Sequence, residues 1–203
     1  MKNFLTLILI SLLLAGCNSK STRIKIFANG ELEKASAGNE ITIRPNRNYL
    51  EKELELNASQ PLKATVGNQT YEATPDGEGY YAWNLKTDTL VGSRQWLNQG
   101  ATEQQTMTQQ RLKQVIDSLE LLVIGRNINA ANQNFMLEPG RLVKLTSSQD
   151  VLVVGPFNSL PKQLDESKYS INTEVFRFYT VKDVREQITR LKGFVAPDSS
   201  TVQ

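Results

Sequence analysis

The residue types in this chain leave few options for catalytic chemistry. The 203 residues include no histidine and a single cysteine, Cys17. Ser-His-Asp and Cys-His catalysis, histidine-ligated zinc or iron, and disulfide scaffolding are therefore excluded within this sequence. An enzyme built from these residues would have to use carboxylates, lysine, tyrosine, or a hydroxyl nucleophile with a lysine base.

Two short patterns come closest to a catalytic or metal-binding signature. Ser159 and Lys162 have the spacing of a serine nucleophile beside a lysine base, but the companion motifs of such enzymes are missing. Asp76 and Glu78 alternate with glycines, as in a calcium loop, but no further acids follow at the required distances. We interpret the first pattern as a helix cap and the second as a hairpin turn. The sequence thus predicts no catalytic residue, no metal and no cofactor.

Aromatic residues provide one pair of candidate binding residues. Tyr80, Tyr81 and Trp83 fall in one predicted strand, and Trp96 follows downstream. Because side chains alternate along a strand, Tyr81 and Trp83 should share the core face, which leaves Tyr80 facing outward. An exposed aromatic side chain can stack on a sugar or anchor a protein partner. Tyr80 and Trp96 are therefore weak binding candidates, and core packing is the interpretation that we favour for these aromatic residues.

Basic residues near the carboxyl terminus form a second candidate set. Lys182, Arg185 and Arg190 lie on the polar side of the last predicted helix. Glu186 can pair with Lys182 and Arg190 at four-residue spacing. The basic side chains could contact anionic lipid or another protein, but we favour a solvated helix face.

The elements that would position these residues begin with a β-rich region. From Thr22 to about Leu85, β-like runs recur every eight to ten residues with turn residues between them. Asn29-Gly30 predicts a tight hairpin, because type I′ turns need positive φ angles. About seven strands of this spacing predict a small β-sandwich domain over residues 23–86.

Residues 87–195 have a different character and predict an α+β domain. We expect helices over about 103–119 and 181–192, because apolar residues recur there at helical spacing. Residues 121–125 are apolar and could extend this helix or form a strand, and we favour the strand. The whole chain is thus expected to be α+β and β-rich, with a disordered tail over residues 196–203.

Both predicted helices have recognisable start signals. Thr102 and Gln105 form a capping box before the first helix, and Thr180 and Asp183 form another before the second. Gly193 is predicted to cap the carboxyl end of the second helix.

The amino terminus has the features of a secretory signal. Lys2 precedes an apolar run over residues 4–14, which is shorter than the roughly 20 residues that cross a bilayer. Leu14-Ala15-Gly16-Cys17 then resembles the lipobox of bacterial lipoproteins. The resemblance covers about seventeen residues.

This resemblance implies cleavage after a signal peptide of residues 1–16 and acylation of Cys17. Residues 17–22 would be the lipidated cysteine and a short linker, and acyl chains would hold the protein on the membrane, since each buried methylene contributes about 0.8 kcal/mol. Asn18, rather than aspartate, follows the cysteine. In the enterobacterial sorting rule this favours the outer membrane, here with the protein facing the periplasm.

The mature chain would contain 22 basic and 21 acidic residues, a balance that does not indicate a nucleic-acid partner. The expected partners are the membrane, through the lipid anchor, and another envelope protein. Our leading hypothesis is a non-enzymatic interaction or structural module of the cell envelope. The alternative is a carboxylate-dependent hydrolase of peptidoglycan or another envelope glycan, which would need two acids in one cleft. A small-ligand carrier is a third possibility.

Overall fold

The computed structural model describes residues 22–35, 39–56, 60–96, 108–126, 133–147, 151–157 and 173–195. The predicted signal peptide, Cys17, the Ser159 and Lys162 pair and the predicted tail lie outside these residues.

The described residues form ten strands and two helices, which confirms the predicted β-rich fold with two helices. In chain order they are β1 Thr22–Ala35, β2 Glu40–Leu56, β3 Leu62–Val66, β4 Gln69–Ala73, β5 Tyr80–Asn84, β6 Leu90–Trp96, α1 Gln109–Val123, β7 Gln133–Leu137, β8 Leu142–Thr146, β9 Val151–Phe157, β10 Glu174–Thr180 and α2 Val181–Lys192. One sheet has the order β4-β3-β2-β1-β5-β8 and the second has the order β7-β6-β10-β9.

The first sheet curls around a core that it supplies itself. The fully or nearly buried residues of this core come from β1, β2, β3 and β5 and from Leu85, which follows β5: Ile24, Ile26, Ala28, Ile41, Ile43, Leu62, Ala64, Tyr81, Trp83 and Leu85. The sheet is nearly closed, and β8 completes it from outside residues 23–86. The small β-sandwich predicted for residues 23–86 is therefore not confirmed.

The long hairpin of β1 and β2 is irregular at Gly30. Asn29 pairs with Tyr49 while Glu31 pairs with Arg44, so four residues of β2 oppose one residue of β1. Gly30 has the positive φ that its sequence predicts, 150°, but β1 continues through it. The predicted hairpin at Asn29-Gly30 is wrong, because the glycine serves a bulge. A Cβ here would meet the backbone oxygen of Arg44.

A second apolar layer joins the two sheets. Phe27, Tyr80 and Ala82 face it from the first sheet, and Phe176 and Phe178 are among the residues facing it from the second. The rings of Phe27 and Phe178 lie 4.7 Å apart between centroids. Tyr80 is consequently only 1% exposed. The prediction that it faces outward is wrong, because the second sheet covers the other face of β5.

The helices pack on the opposite face of the second sheet, where Val91 and Tyr179 meet the apolar sides of both. Helix α2 confirms the predicted range, with Thr180 as its amino-terminal cap. Gly193 caps its carboxyl end by donating its backbone N–H to the carbonyls of Arg190 and Leu191.

Helix α1 differs from its prediction at both ends. It begins at Gln109, where the side chain of Thr108 accepts a hydrogen bond from the backbone N–H of Arg111. The predicted cap pair of Thr102 and Gln105 lies outside the described residues. The strand predicted over residues 121–125 is wrong, because α1 continues to Val123 and packs Leu122 and Val123 against the sheet.

Neither helix of the described residues has the length and hydrophobicity that a bilayer span requires. The predicted division into domains near residue 86 stays a prediction. Strand pairing does cross it, because β5 is bonded to β8.

Candidate functional site

A wide groove runs between the loop that precedes β6 and the first three turns of α2. Its volume is about 530 Å³. We refer to it as the helix groove, and it is lined by Thr87, Asp88, Thr89, Val181, Lys182, Arg185, Glu186 and Thr189. The predicted binding residues Lys182 and Arg185 therefore come together in one groove.

Hydrogen bonds fix the loop side of the helix groove. Asn84 is fully buried, and its side-chain amide donates to the carbonyl of Asp88 at 2.9 Å and to that of Leu137 at 2.9 Å. Its side-chain oxygen accepts from the backbone N–H of Lys86 at 3.0 Å. The backbone N–H of Val181 donates to the carbonyl of Thr89 at 3.2 Å, and this hydrogen bond connects the loop to α2. These hydrogen bonds hold the backbone on the loop side of the groove in place.

The groove side of α2 follows from helical spacing. Lys182, Arg185, Glu186 and Thr189 stand at positions i, i+3, i+4 and i+7, which share one face of a helix. Val184 and Ile188 point to the other side and are buried. Because the apolar stripe faces the sheet, the charged side chains are exposed to solvent in the groove.

Charged side chains of both signs line the helix groove. Lys182 Nζ lies 4.0 Å from a carboxylate oxygen of Glu186, the pair that the sequence predicts. Asp88 on the loop side is exposed. An exposed ion pair of this kind contributes little to the stability of the fold. Breaking it to contact a partner would therefore cost little free energy.

A buried lysine stands directly before the loop. Lys86 is 7% exposed, and its ammonium donates to the side-chain oxygen of Asn29 at 2.6 Å. It also lies 5.4 Å from the ring centroid of Tyr49. Burial lowers the pKa of Lys86, while the charges of Asp88 and Asp183 oppose that shift. The loop therefore begins directly after a buried amine whose charged form is disfavoured by burial.

The remaining predicted binding residues lie elsewhere. Arg190 is exposed on α2 but does not line the helix groove, and Tyr80 is buried between the sheets. Trp96 is 44% exposed at the end of β6. Sequence reasoning did not propose Asp88 or the threonines of the groove, and it named Glu186 only as an ion-pair partner. The i, i+3, i+4, i+7 spacing in α2 was available as a signal for Glu186 and Thr189.

Trp96 contacts Arg94, which lines a second feature, a small cleft between β8 of the first sheet and the strands β6, β7 and β10 of the second. The guanidinium of Arg94 lies 5.4 Å from the ring centroid of Trp96 and forms an ion pair with Glu174, which is 5% exposed. Arg94 also donates to the side chain of Gln133 at 3.2 Å. The volume is about 170 Å³, and the lining is Arg94, Gln133, Phe135, Val143, Lys144, Leu145 and Phe176. We refer to it as the edge cleft.

Tyr80 has a structural role in place of the predicted binding role. Its hydroxyl donates to Glu53, and the Arg23 guanidinium pairs with the same carboxylate while lying 4.9 Å from the Tyr80 ring centroid. Burial and the bond to Glu53 raise the pKa of the Tyr80 hydroxyl, so it remains a donor. These three side chains fill the polar margin of the inter-sheet layer.

The described residues contain no group of three or more acids, histidines or cysteines that could hold a metal ion. Comparison with known protein families, with curated proteins and with solved structures gives no match. The functional argument therefore depends on the two surface features alone.

Proposed function

We propose that this chain is a membrane-anchored envelope lipoprotein whose folded part is a non-enzymatic interaction module. The observation that carries the proposal is the helix groove, which is open and lined by exposed charged side chains of both signs. Sites for small molecules are mostly apolar and enclose their ligand, whereas the margins of protein interfaces are polar and accessible to solvent. The helix groove has the second character and fits an envelope protein that presents complementary charges.

The alternative, a glycan hydrolase, finds less support in the same groove. Asp88 and Glu186 are its two acids, and both are exposed. A general acid needs a raised pKa, which burial in an apolar setting would supply. Glu53, which is partly buried, has its pKa lowered instead. Neither the pair of Asp88 and Glu186 nor Glu53 therefore provides one desolvated acid beside a second acid.

The anchor part of the proposal depends on the lipobox resemblance at Cys17, and it places the protein on the outer membrane facing the periplasm. Replacing the cysteine, Cys17→Ser, should release the protein from the membrane fraction and remove the mass of the acyl chains, because serine has no sulfur to accept them. Fractionation and intact mass spectrometry measure both effects. Retention in the membrane at unchanged mass would contradict the anchor.

Charge reversal tests the helix groove. The double variant Lys182→Glu with Arg185→Glu should reduce crosslinking to the envelope partner by at least about tenfold, a change of about 1.4 kcal/mol in binding. Arg190→Glu is the control, because it reverses one charge of the same kind on the same helix outside the groove. The yield of one partner, crosslinked in native membranes and quantified by mass spectrometry, is compared across the three proteins. Equal loss in the control, or no loss in the double variant, would contradict a role for the groove.

A further inference from the structure

One contact between the two sheets places the end of β5 beside the start of β6. The side-chain amide of Asn84, the last residue of β5, donates to the carbonyl of Leu137 at 2.9 Å. Leu137 in turn pairs with Leu90, the first residue of β6. The loop side of the helix groove lies at this same level, because Thr89 comes directly before β6.

From the level of Asn84 the two sheets extend to a shared opposite end. Strand β5 leads back to Tyr80, which pairs with Arg23 at the start of β1. Close to Tyr80 the sheets meet again, because Arg94 of β6 and Leu145 of β8 line the edge cleft together. Strand β6 ends two residues later at Trp96. Trp96 therefore lies at the same end of the fold as the start of β1, and we refer to this end as the anchor end.

The proposed lipid anchor would be attached at this end. Residues 18–21 separate Cys17 from Thr22, so these two residues can be at most about 18 Å apart. Strand β1 leads away from the anchor end and covers about 16 Å between Thr22 and Phe27, which pairs with Asn84. An acylated Cys17 would thus keep the anchor end near the bilayer, but a tether alone leaves the folded part free to tilt.

Trp96 supplies a contact that can fix the tilt. Its side chain is 44% exposed, and the guanidinium of Arg94 lies 5.4 Å from its ring centroid. Tryptophan is enriched where membranes meet water, because its ring is apolar while its N–H can bond to polar groups. An exposed tryptophan at the end that carries the tether therefore fits the headgroup region of a bilayer.

The charges at the anchor end indicate which lipids it fits. Asp76 and Glu78 are exposed in the turn that precedes β5, and Glu55 is exposed near the end of β2. Lys144 is exposed beside that turn and donates to the carbonyl of Asp76 at 3.1 Å. Because anionic lipids attract basic segments and repel acids, these carboxylates oppose binding to an anionic surface. The anchor end is thus better suited to zwitterionic headgroups.

We infer that the anchor end faces a bilayer surface of zwitterionic lipid, with the ring of Trp96 among the headgroups and the loop side of the helix groove turned away from the membrane. This inference rests on the proposed anchor at Cys17 and adds the side by which the folded part meets the bilayer. A partner of the helix groove would then approach from the aqueous side.

The test uses the full acylated protein in phosphatidylcholine vesicles that carry a fluorescence quencher on the headgroup. Intact mass first measures the acyl chains on Cys17, which then has no free thiol. The same fluorophore is attached to Ser147→Cys, exposed directly after β8 at the anchor end, or to Thr87→Cys, exposed in the loop before β6. The label at position 147 should lose most of its emission, and the label at position 87 should keep most of it.

Trp96→Asp should reduce the quenching at position 147, because only the tether would then hold the folded part. Met136→Asp is the matched control, since Met136 is 45% exposed but pairs with Val91 near the start of β6. Circular dichroism checks that both variants keep their fold.

The inference is overturned if an acylated protein shows equal quenching at positions 147 and 87. It is also overturned if Trp96→Asp leaves the quenching at position 147 unchanged or if Met136→Asp reduces it equally. Either result leaves the proposed anchor standing. A protein without the mass of acyl chains would instead refute the anchor, and this inference with it.

Discussion

The carboxylate of Glu53 is kept charged by two neighbours. Burial alone would raise its pKa, but hydrogen bonds from Tyr80 and Arg23, with the positive charge of Arg23, lower the pKa below the ordinary value of 4.5. The folded state therefore binds fewer protons than the unfolded state in acid. The stability that Glu53 contributes is present above the unfolded pKa and is lost as the pH falls through the folded pKa.

Glu53→Gln should consequently lower the free energy of unfolding near pH 7 and lower it less near about pH 3, where the native carboxyl is increasingly protonated. Urea unfolding of both proteins at the two pH values measures the difference. An equal effect at both values would mean that the charge of Glu53 contributes no stability.

Gly92 limits packing at the edge cleft. A Cβ at this position would lie 2.7 Å from Cε2 of Phe135, whose ring packs on two other phenylalanines. Gly92→Ala should destabilise the protein by about 1–3 kcal/mol, because the ring cannot move without overpacking the layer. Adding Phe135→Leu should make the alanine less costly, a coupling that a double-mutant cycle in urea measures. Additive effects of the two changes would show that the ring is not the obstacle.

At the scale of elements, the cap of α2 links stability to the helix groove. The hydroxyl of Thr180 accepts from the backbone N–H of Asp183 at 3.1 Å, and Lys182 follows in the first turn. Thr180→Val keeps the shape but removes the acceptor, so we expect a loss of about 1 kcal/mol. Thr180→Ser keeps the acceptor and should cost less. Urea unfolding followed by circular dichroism compares them, and an equal loss in both would assign the effect to packing.

Elements set by local interactions are the ones that the sequence predicts well. Helix α2 has its cap, apolar stripe and terminal glycine within fourteen residues, Thr180 to Gly193. Strand β6 has no comparable pattern, because Gly92 and Ser93 interrupt its apolar residues and its stability comes from pairing with β7 and β10. Gly30 also shows what the sequence alone cannot predict. Its positive φ is a local property, whereas its place in a bulge depends on pairing with β2.

The residues of the candidate site also divide into those placed by local interactions and those placed by distant parts of the chain. Lys182 and Arg185 could be proposed from helical spacing, because both lie on one face of one element. Asp88 could not, since its loop meets α2 through the hydrogen bond from the backbone N–H of Val181 to the carbonyl of Thr89, a contact between distant parts of the chain. Tyr80 was misplaced for the same reason, because only the second sheet determines that its face of β5 is covered.

At the scale of the whole molecule, several contacts join residues 23–86 to those that follow. Strand β8 belongs to the first sheet, and the apolar layer with Phe27 and Phe178 belongs to both sheets. Asn84, at the end of β5, donates from its side-chain amide to the carbonyls of Asp88 and Leu137, which both lie after residue 86. Because the two sheets share this apolar layer, unfolding of either part would expose apolar surface of the other to water.

We therefore expect the two parts to unfold together. In the variant Trp96→Phe, which changes a half-exposed side chain, the remaining Trp83 reports on the core of the first sheet by fluorescence. Circular dichroism at about 222 nm reports on α1 and α2, which pack on the second sheet alone. The two urea curves should coincide, since small domains without populated intermediates give the same transition by different probes. Separate midpoints would instead establish the division near residue 86 as a boundary between independently stable units, and the shared apolar layer would then contribute little to the stability of either.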